Sequence, residues 1–361
     1  MKIAIVGPTH PYKGGIAQHT TELAHHLKAA GHHVELISWS RQYPFFYPGV
    51  QFVDENKPEV PVFKEAKRVL SWRNPAGWAR WARRLRNFDE VIFIWFVPTI
   101  QGPVALTMMQ ALGKHGPKKI ILAHNMVSHS ASGPDKKLAK LAFSRADEVL
   151  VHTDAMAERV HELAKANVKV AAMPAHLPGG VPKTTHHLGK LHRHLLFFGL
   201  VRKYKGVDIL LQALAKVPDI KLTVAGEMWG KQKANLEALV QELGLSDRVE
   251  LKAGYVAAED IAGLFATADG LVLPYRSGTA TQNVELAFAH GLPVIATAVG
   301  SMPSQVRQGV DGLICEPENP DQLAKAIEEF YLPGVANHLA SNVPKVSSEK
   351  DWDNYVATLT S

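Results

Sequence analysis

Cysteine is almost absent: Cys315 is the one thiol in a chain of 361 residues. A lone thiol closes no internal disulfide and anchors no thiolate metal cluster, so a reducing compartment is expected. No uninterrupted apolar run approaches the roughly 18 residues needed to cross a bilayer, which limits any membrane contact to the periphery. A basic leader and a small-residue cleavage site are also missing, since Met1 to Val6 enters an apolar strand at once, and a cytoplasmic location is expected. Short-period repeats and low-complexity tracts do not occur, which sets aside solenoids and linker proteins. Acidic residues fall short of basic ones, 34 against 40, and the resulting +6 suits an anionic partner without choosing among nucleic acid, lipid headgroups and phosphorylated substrates.

What is there is ordinary globular material. Hydrophobic residues make up 46% and charged residues 20%, which excludes disordered and collagen-like chains. The length exceeds one hydrophobic core and implies two domains of roughly 150 to 200 residues each. Short β-rich apolar runs alternate with helix-period segments, the pattern of parallel sheets with crossover helices. Strands are expected at Lys2 to Val6, His33 to Ser38, Val91 to Phe96, Lys119 to Ala123, Glu148 to His152 and Val168 to Ala172. Between the first two, Ile16, Thr20, Leu23 and Leu27 share a helical face and Gly31 supplies a stop. The pattern lapses from Pro174 to His194, read as the linker, and resumes with strands at Leu195 to Gly199, Lys221 to Ala225, Arg248 to Lys252, Gly270 to Leu273 and Pro293 to Ala296. The fold class expected is α/β, two tandem Rossmann-like domains facing each other across a cleft. Residues 1–180 form the first domain, 181–194 the linker, 195–331 the second domain, and 332–361 a tail that packs back on the first through Trp352 and Tyr355.

Three strand-to-helix turns carry the chemistry. Gly7 to Gly15 follows the first strand, and small residues there let a ligand approach the N–H groups at a positive helix end. The spacing is neither GxGxxG nor GK[ST], so dinucleotide and P-loop readings fail, and on this loop alone a phosphate site and a plain chain reversal both stand. Gly199 to Gly206 opens the second domain with Arg202, Lys203 and Lys205 at the C-terminal edge of a strand, a suitable clamp for a diphosphate. Leu273 to Thr297 places a hydroxyl-rich loop, Gly278, Thr279, Ala280, Thr281 and Gln282, before a helix whose first turn holds Glu285. A carboxylate among phosphate-binding groups is a poor phosphate ligand but a good one for a ribose diol.

In these motifs the chain resembles the retaining glycosyltransferases of family 4, with the two-Rossmann (GT-B) fold, over essentially its whole length. Gly14-Gly15 with Gln18 and His19 resembles the family's first glycine loop, and Ala123-His124-Asn125 its mid-domain histidine motif. Gly199 through Asp208, Val224 to Glu227, Ala253 to Val256, and Glu285 through Thr297 to Asp311-Gly312-Leu313 match its donor-domain blocks in order. Two positions depart. Ser277 stands where the family often has a second Glu, eight residues before Glu285, and Leu200 replaces the arginine after the glycine of the diphosphate block, leaving Arg202 to supply that charge.

The resemblance implies transfer of a sugar from a nucleotide diphosphate sugar, UDP- or GDP-linked, to an acceptor hydroxyl with retention, in glycan, glycolipid or cell-surface polysaccharide synthesis. It assigns His124, Arg202 and Lys205 to catalysis. Gly14, Gly15, Glu227, Tyr255, Val256, Gly278, Thr279, Ala280, Thr281, Gln282 and Glu285 are assigned to the donor, and Gln18 and His19 to the acceptor side. No metal or other cofactor is expected. The remaining histidines show no ligand spacing, and Asp351-Trp352-Asp353, which spells a metal motif of another architecture, lies far from any strand-loop site. A sugar-nucleotide epimerase or phosphorylase of the same fold, and a non-catalytic nucleotide or membrane-surface binder, are the alternatives.

Lys64 to Arg86 holds eight basic residues and one acid, Glu65. Trp78, Trp81, Leu85 and Phe88 share one helical face and Arg80, Arg83 and Arg84 the other. The first reading is a core-facing tryptophan stripe under a solvated arginine face. The second is contact with an anionic membrane on its inner face, or with an anionic acceptor. Nucleic acid lacks a matching module and is not expected.

Overall fold

The computed structural model describes residues 1–42, 52, 58, 60–125, 133–178, 191–278 and 281–361. Most of the expected linker therefore lies outside the described residues, as do Thr279 and Ala280. The chain divides into two compact units, Met1–Pro174 with Ser348–Ser361, and Ala175–Ser347. Residues 332–347 thus cluster with the second unit, and only 348–361 with the first.

In the first unit seven strands, β1 (Lys2–Val6), β2 (His33–Arg41), β3 (Ala66–Ser71), β4 (Glu90–Trp95), β5 (Lys118–Ala123), β6 (Glu148–Val151) and β7 (Val168–Val170), form one sheet. Its order is β3-β2-β1-β4-β5-β6-β7, every pairing parallel. Helices α1 (Gly15–Ala29), α2 (Pro75–Arg84), α3 (Pro98–Leu112), α4 (Gly133–Phe143) and α5 (Asp154–Leu163) make the crossovers. In the second unit the sheet order is β10-β9-β8-β11-β12-β13, also parallel. Its strands are β8 (His194–Phe198), β9 (Lys221–Gly226), β10 (Val249–Ala253), β11 (Gly270–Leu273), β12 (Val294–Thr297) and β13 (Gly312–Cys315). Helices α6 (Val207–Leu214), α7 (Gln232–Glu242), α8 (Ala258–Ala266), α9 (Asn283–Ala289), α10 (Met302–Gln305), α11 (Pro320–Phe330) and α12 (Val335–Ser341) cover it, and α13 (Ser348–Leu359) belongs to the first unit.

The two-residue period of β1 builds both faces of the first core. Ile3 and Ile5 join Leu23 and Leu27 of α1 and Trp352 of α13, while Ala4 and Val6 join Met108 of α3 and Trp78 of α2 on the other face. The stripe that predicts α1 is therefore real, and the helix stops before Gly31, whose φ of 86° suits glycine. Asn74 caps α2 by accepting from the Gly77 N–H at 2.9 Å, with Pro75 at the first helical position. Trp78 and Leu85 are buried, Trp81 and Phe88 pack against the same core, and Arg80, Arg83 and Arg84 are exposed. Trp78 thus faces the core and Trp81 packs partly against it, as the first reading of the stripe expects.

Two strands were not expected. The β3 segment, Ala-Lys-Arg-Val-Leu-Ser, is too polar to read as a strand because it forms a sheet edge, where Lys67 reaches Glu35 of β2 at 2.6 Å. The strand β13 is only four residues long and opens on the glycine of an Asp-Gly pair, so it reads as a turn. Cys315 closes it, and burial pushes this thiol up to about 11, where it is inert.

Candidate active site

Both sheets reverse strand order in mid-sheet, at β1/β4 and at β8/β11. Open α/β sheets bind ligands beyond the C-terminal ends of the strands at such a point. In each unit the expected motifs fall on that edge.

In the second unit the ends of three neighbouring strands are tied together. The Gly199 N–H donates to the Ala225 carbonyl at 2.9 Å, and the Gly254 N–H to the Gly226 carbonyl at 3.1 Å. After Gly199 the chain runs through Arg202 into a 3₁₀ turn, Lys203–Lys205. Gly206 follows with a φ of 67°, and a Cβ there would lie 1.9 Å from the Pro274 carbonyl oxygen, so only glycine lets the turn approach the end of β11 this closely.

Aromatic faces fix the two cations. The Arg202 guanidinium lies 3.5 Å from the ring centroid of Trp229, and Lys205 Nζ 3.7 Å from that of Tyr275. Arg276 then locks the turn to the β11 loop. Its guanidinium grips both carboxylate oxygens of Asp208, at 2.8 and 2.6 Å, and donates to the Lys203 carbonyl at 2.7 Å. Its backbone N–H meets the Tyr204 carbonyl at 2.7 Å. Asp208 is held below the ordinary carboxylate range by this guanidinium, although partial burial works against it. Arg276 Nε donates to Glu318 at 3.1 Å, and with five hydrogen bonds spent inside the unit, Arg276 serves the site's shape.

Across the β11 loop, Asn283 Nδ2 donates to the Phe198 carbonyl at 2.8 Å, and Tyr275 Oη lies 3.4 Å from Thr281 Oγ1. Glu285 Oε1 accepts from Gln305 Nε2, which also donates to the Thr281 carbonyl at 3.1 Å. Ser301 Oγ orients Gln305 in turn, at 2.7 Å from its Oε1. Gln282 stands at the head of α9 without a side-chain cap bond, Gly278 lies between Tyr275 and Val299, and Ser277 is exposed. The Glu227 carbonyl accepts from the Val201 N–H at 2.9 Å. Tyr255 and Val256 lie beyond the edge strand β10, where they line a hollow of about 470 Å³ with Lys252 and Thr267. None of Arg202, Lys205 or Glu285 lines it.

In the first unit Gly14 has a φ of 100° and heads α1 with no side-chain cap. Nothing stands within 4 Å of where a Cβ would be, so the turn at the helix end is open. Gly14 and Gly15 line a pocket of about 250 Å³ with Tyr12, Lys13, Gln42 and Asn125. Gln18, His19 and His124 do not line it. Gln18 is 7% exposed, His19 1% and His124 9%, and His19 packs against α13. His19 lies 4.8 Å from His124, 5.1 Å from Trp352 and 5.4 Å from Tyr355, ring centre to ring centre, and His152 lies 5.1 Å from His124. Burial lowers both His124 and His152, the former well below the ordinary histidine value and the latter to about 4, so both rings are neutral at pH 7. On α13 Trp352 is buried while Asp351 and Asp353 are exposed, so the Asp-Trp-Asp triplet is a packing feature. Among the described residues no three His, Cys, Asp or Glu side chains gather to hold a metal ion.

Sequence reasoning missed Trp229, the Asp208–Arg276 pair, Gln305 and Gln42. Trp229 sits two residues past the Gly226-Glu227 block, and Arg276 beside the departed Ser277, so proximity to known blocks was the available signal. Gln305, twenty positions from Glu285, gave none.

Two family models tile the chain. "Glycosyltransferase Family 4" matches residues 13–174 and "Glycosyl transferases group 1" residues 188–342. The chain belongs to glycosyltransferase family 4. Among its relatives, D-inositol 3-phosphate glycosyltransferase of Mycobacterium sp. (strain JLS) is 32% identical over 203 residues, 53% of this chain and 46% of that protein. An exopolysaccharide phosphotransferase of Streptomyces coelicolor is 29% identical over 360 residues, 91% of this chain and 37% of that protein. The chain thus spans less than half the length of these curated relatives. The crystal structure of the Anabaena protein HepE in complex with UDP superposes with a TM-score of 0.75 at 17% identity, covering 100% of both chains, a likeness of fold. Two doubly wound parallel units, the fold expected of this family, are what the chain forms.

Proposed function

We propose that this protein transfers a sugar from a nucleotide diphosphate sugar to an acceptor hydroxyl, with retention of anomeric configuration. The observation that carries the reading is the pair of cations, Arg202 and Lys205, fixed on aromatic faces at the switch point of the second sheet. Breaking the anomeric bond leaves negative charge on the diphosphate and positive charge on the sugar. Cations and N–H dipoles placed in advance stabilise that separation without reorganising. The HepE complex, which holds UDP on the same fold, supports a nucleotide donor.

In this reading Arg202 and Lys205 hold the diphosphate with the N–H groups at the start of α9, and Glu285, aligned by Gln305, accepts hydrogen bonds from the ribose hydroxyls. The departing phosphate oxygen takes the acceptor's proton, so the bond to the diphosphate breaks as the bond to the acceptor oxygen forms. His124 is neutral at pH 7, so its part is to hydrogen-bond rather than to carry charge. The first unit takes the acceptor. The exposed arginines of α2 suit an anionic lipid surface by charge alone, and no helix among the described residues is long and apolar enough to cross a membrane.

The test is calorimetric titration of UDP, GDP and ADP, followed by product analysis with the matching sugar conjugates. Glu285→Ala and Lys205→Ala should each weaken binding of the preferred nucleotide by roughly 10- to 100-fold, as loss of a hydrogen bond to a charged group predicts. Unchanged affinity in both would remove the assigned roles. A donor that binds but is neither hydrolysed nor transferred would favour a non-catalytic binder, and conversion without an acceptor would favour an epimerase or phosphorylase.

A further inference from the structure

Gln42 follows β2 directly and is 1% exposed. Its backbone N–H donates to Tyr12 Oη at 3.0 Å. Its side chain makes no hydrogen bond: Oε1 and Nε2 are both buried without a partner. An amide that gives up water and gains nothing is destabilising, and an apolar residue of similar size would serve a purely structural role better. The side chain is also not deep in a core. Gln42 lines the 250 Å³ pocket at the switch point of the first sheet, with Tyr12, Lys13, Gly14, Phe96 and Asn125. The open end of α1 contributes to the same wall. This combination calls for a partner from outside the chain.

The chemistry of the wall narrows the partner. A neutral amide offers two donors and an acceptor, and adjacent hydroxyls on a ring, each both donor and acceptor, match that set. Lys13 and the open N-terminus of α1 in the same wall suit an anionic group carried on the ring. Gln42 Oε1 itself needs a donor, however, which a hydroxyl supplies and an ionised phosphate or carboxylate does not. Tyr12 and Phe96 add apolar faces suited to the C–H face of a sugar ring. We propose that Gln42 is a specificity-determining residue of an acceptor subsite for a hydroxyl-rich ring, a sugar or cyclitol, whose neighbouring hydroxyls pair with the Gln42 amide. The proposal deepens the transfer reading and rests on it, since that reading requires an acceptor in the first unit.

The test uses the full chain, wild type and Gln42→Leu, with Gln42→Met as a second apolar variant. Saturation-transfer NMR measures binding of methyl α-D-glucopyranoside, methyl α-D-mannopyranoside and myo-inositol, the last separating cyclitols from sugars, while calorimetry follows UDP. At least one ring should bind the wild type saturably and both variants about tenfold more weakly. UDP affinity should not move, and the apolar variants should melt no lower than the wild type. Wild-type ring affinity in the variants overturns the proposal, as does a lowered melting temperature with unchanged ring affinity. Failure of all three rings to bind the wild type at high millimolar concentration also overturns it. Ring binding that depends on Gln42, in a protein that binds no nucleotide, would keep the subsite and remove the transfer reading.

Discussion

Acidification should loosen the first unit through His152, and the size of the effect follows from its surroundings. Its ring is 5% exposed, with Nδ1 donating to the Ala171 carbonyl at 3.3 Å and Nε2 buried without a partner. Burial lowers it from 6.5 to about 4, against the weaker pull of the Ala171 carbonyl. As pH falls below 6.5 the unfolded chain takes up this proton first, while the folded chain resists until about 4. The unfolded state is therefore favoured progressively, and stability fully present above 6.5 is lost across that window. The gap corresponds to about 3 kcal/mol once both states are protonated. His124, lowered in the same direction by burial and by His152, adds to the loss. For a unit of this size the His152 share is roughly a 6 to 12 °C fall in melting temperature.

Scanning calorimetry at pH 7, 5.5 and about 4.5, with intrinsic fluorescence following Trp352 in the same cluster, measures it on the wild type and on His152→Phe. The variant keeps a ring but cannot titrate, so its melting temperature should fall distinctly less over the same pH range, whatever its starting value. Parallel pH dependences in the two proteins would refute the reasoning.

Three other outcomes are expected. Arg276→Lys replaces a fork with a point charge and releases the Lys203–Lys205 turn, so UDP affinity should fall by calorimetry; the pair is partly exposed, so stability should drop by no more than about 1 kcal/mol. An unfolded variant, or unchanged UDP affinity, would contradict this. Trp352→Ala should cost the first unit about 3 to 5 kcal/mol, read as an early unfolding transition with the second unit's transition in place. Reversing Arg80, Arg83 and Arg84 to glutamate should abolish co-sedimentation with vesicles rich in anionic lipid; equal sedimentation of both proteins, or none by the wild type, would remove the membrane contact.

The central strands were legible because they are buried on both faces and so appear as unbroken apolar runs, Val91 to Phe96 above all. The strands that escaped were β3, whose polarity comes from its edge position, and β13, with four residues after a turn signal. In the candidate site, the groups assigned to a ligand at the strand ends, Arg202, Lys205 and Glu285, stood out because spacing and charge mark the turns that follow strands. Their supports did not. Trp229, Gln305 and the Asp208–Arg276 pair act across separations that only folding closes. Gln18 and His19 show the opposite limit, since a motif position fixed their neighbourhood but not which way α1 turns them.

The return of α13 to the first unit has a consequence for how the protein is made. The second unit is one continuous insert, Ala175–Ser347, whereas the first is split in sequence around it. Trp352, Tyr355 and Leu359 are integral to the first core, and Lys169 Nζ holds the end of α13 through the Thr358 and Ser361 carbonyls at 3.2 and 2.6 Å. A ribosome delivers α13 only after the whole insert, so the first unit must wait, its α1-side face uncovered, while the second can fold as it emerges. Pairings this distant along the chain are slow to close. Truncation after Pro174 should therefore yield an aggregating fragment, and Ala175–Ser347 is the half to express alone.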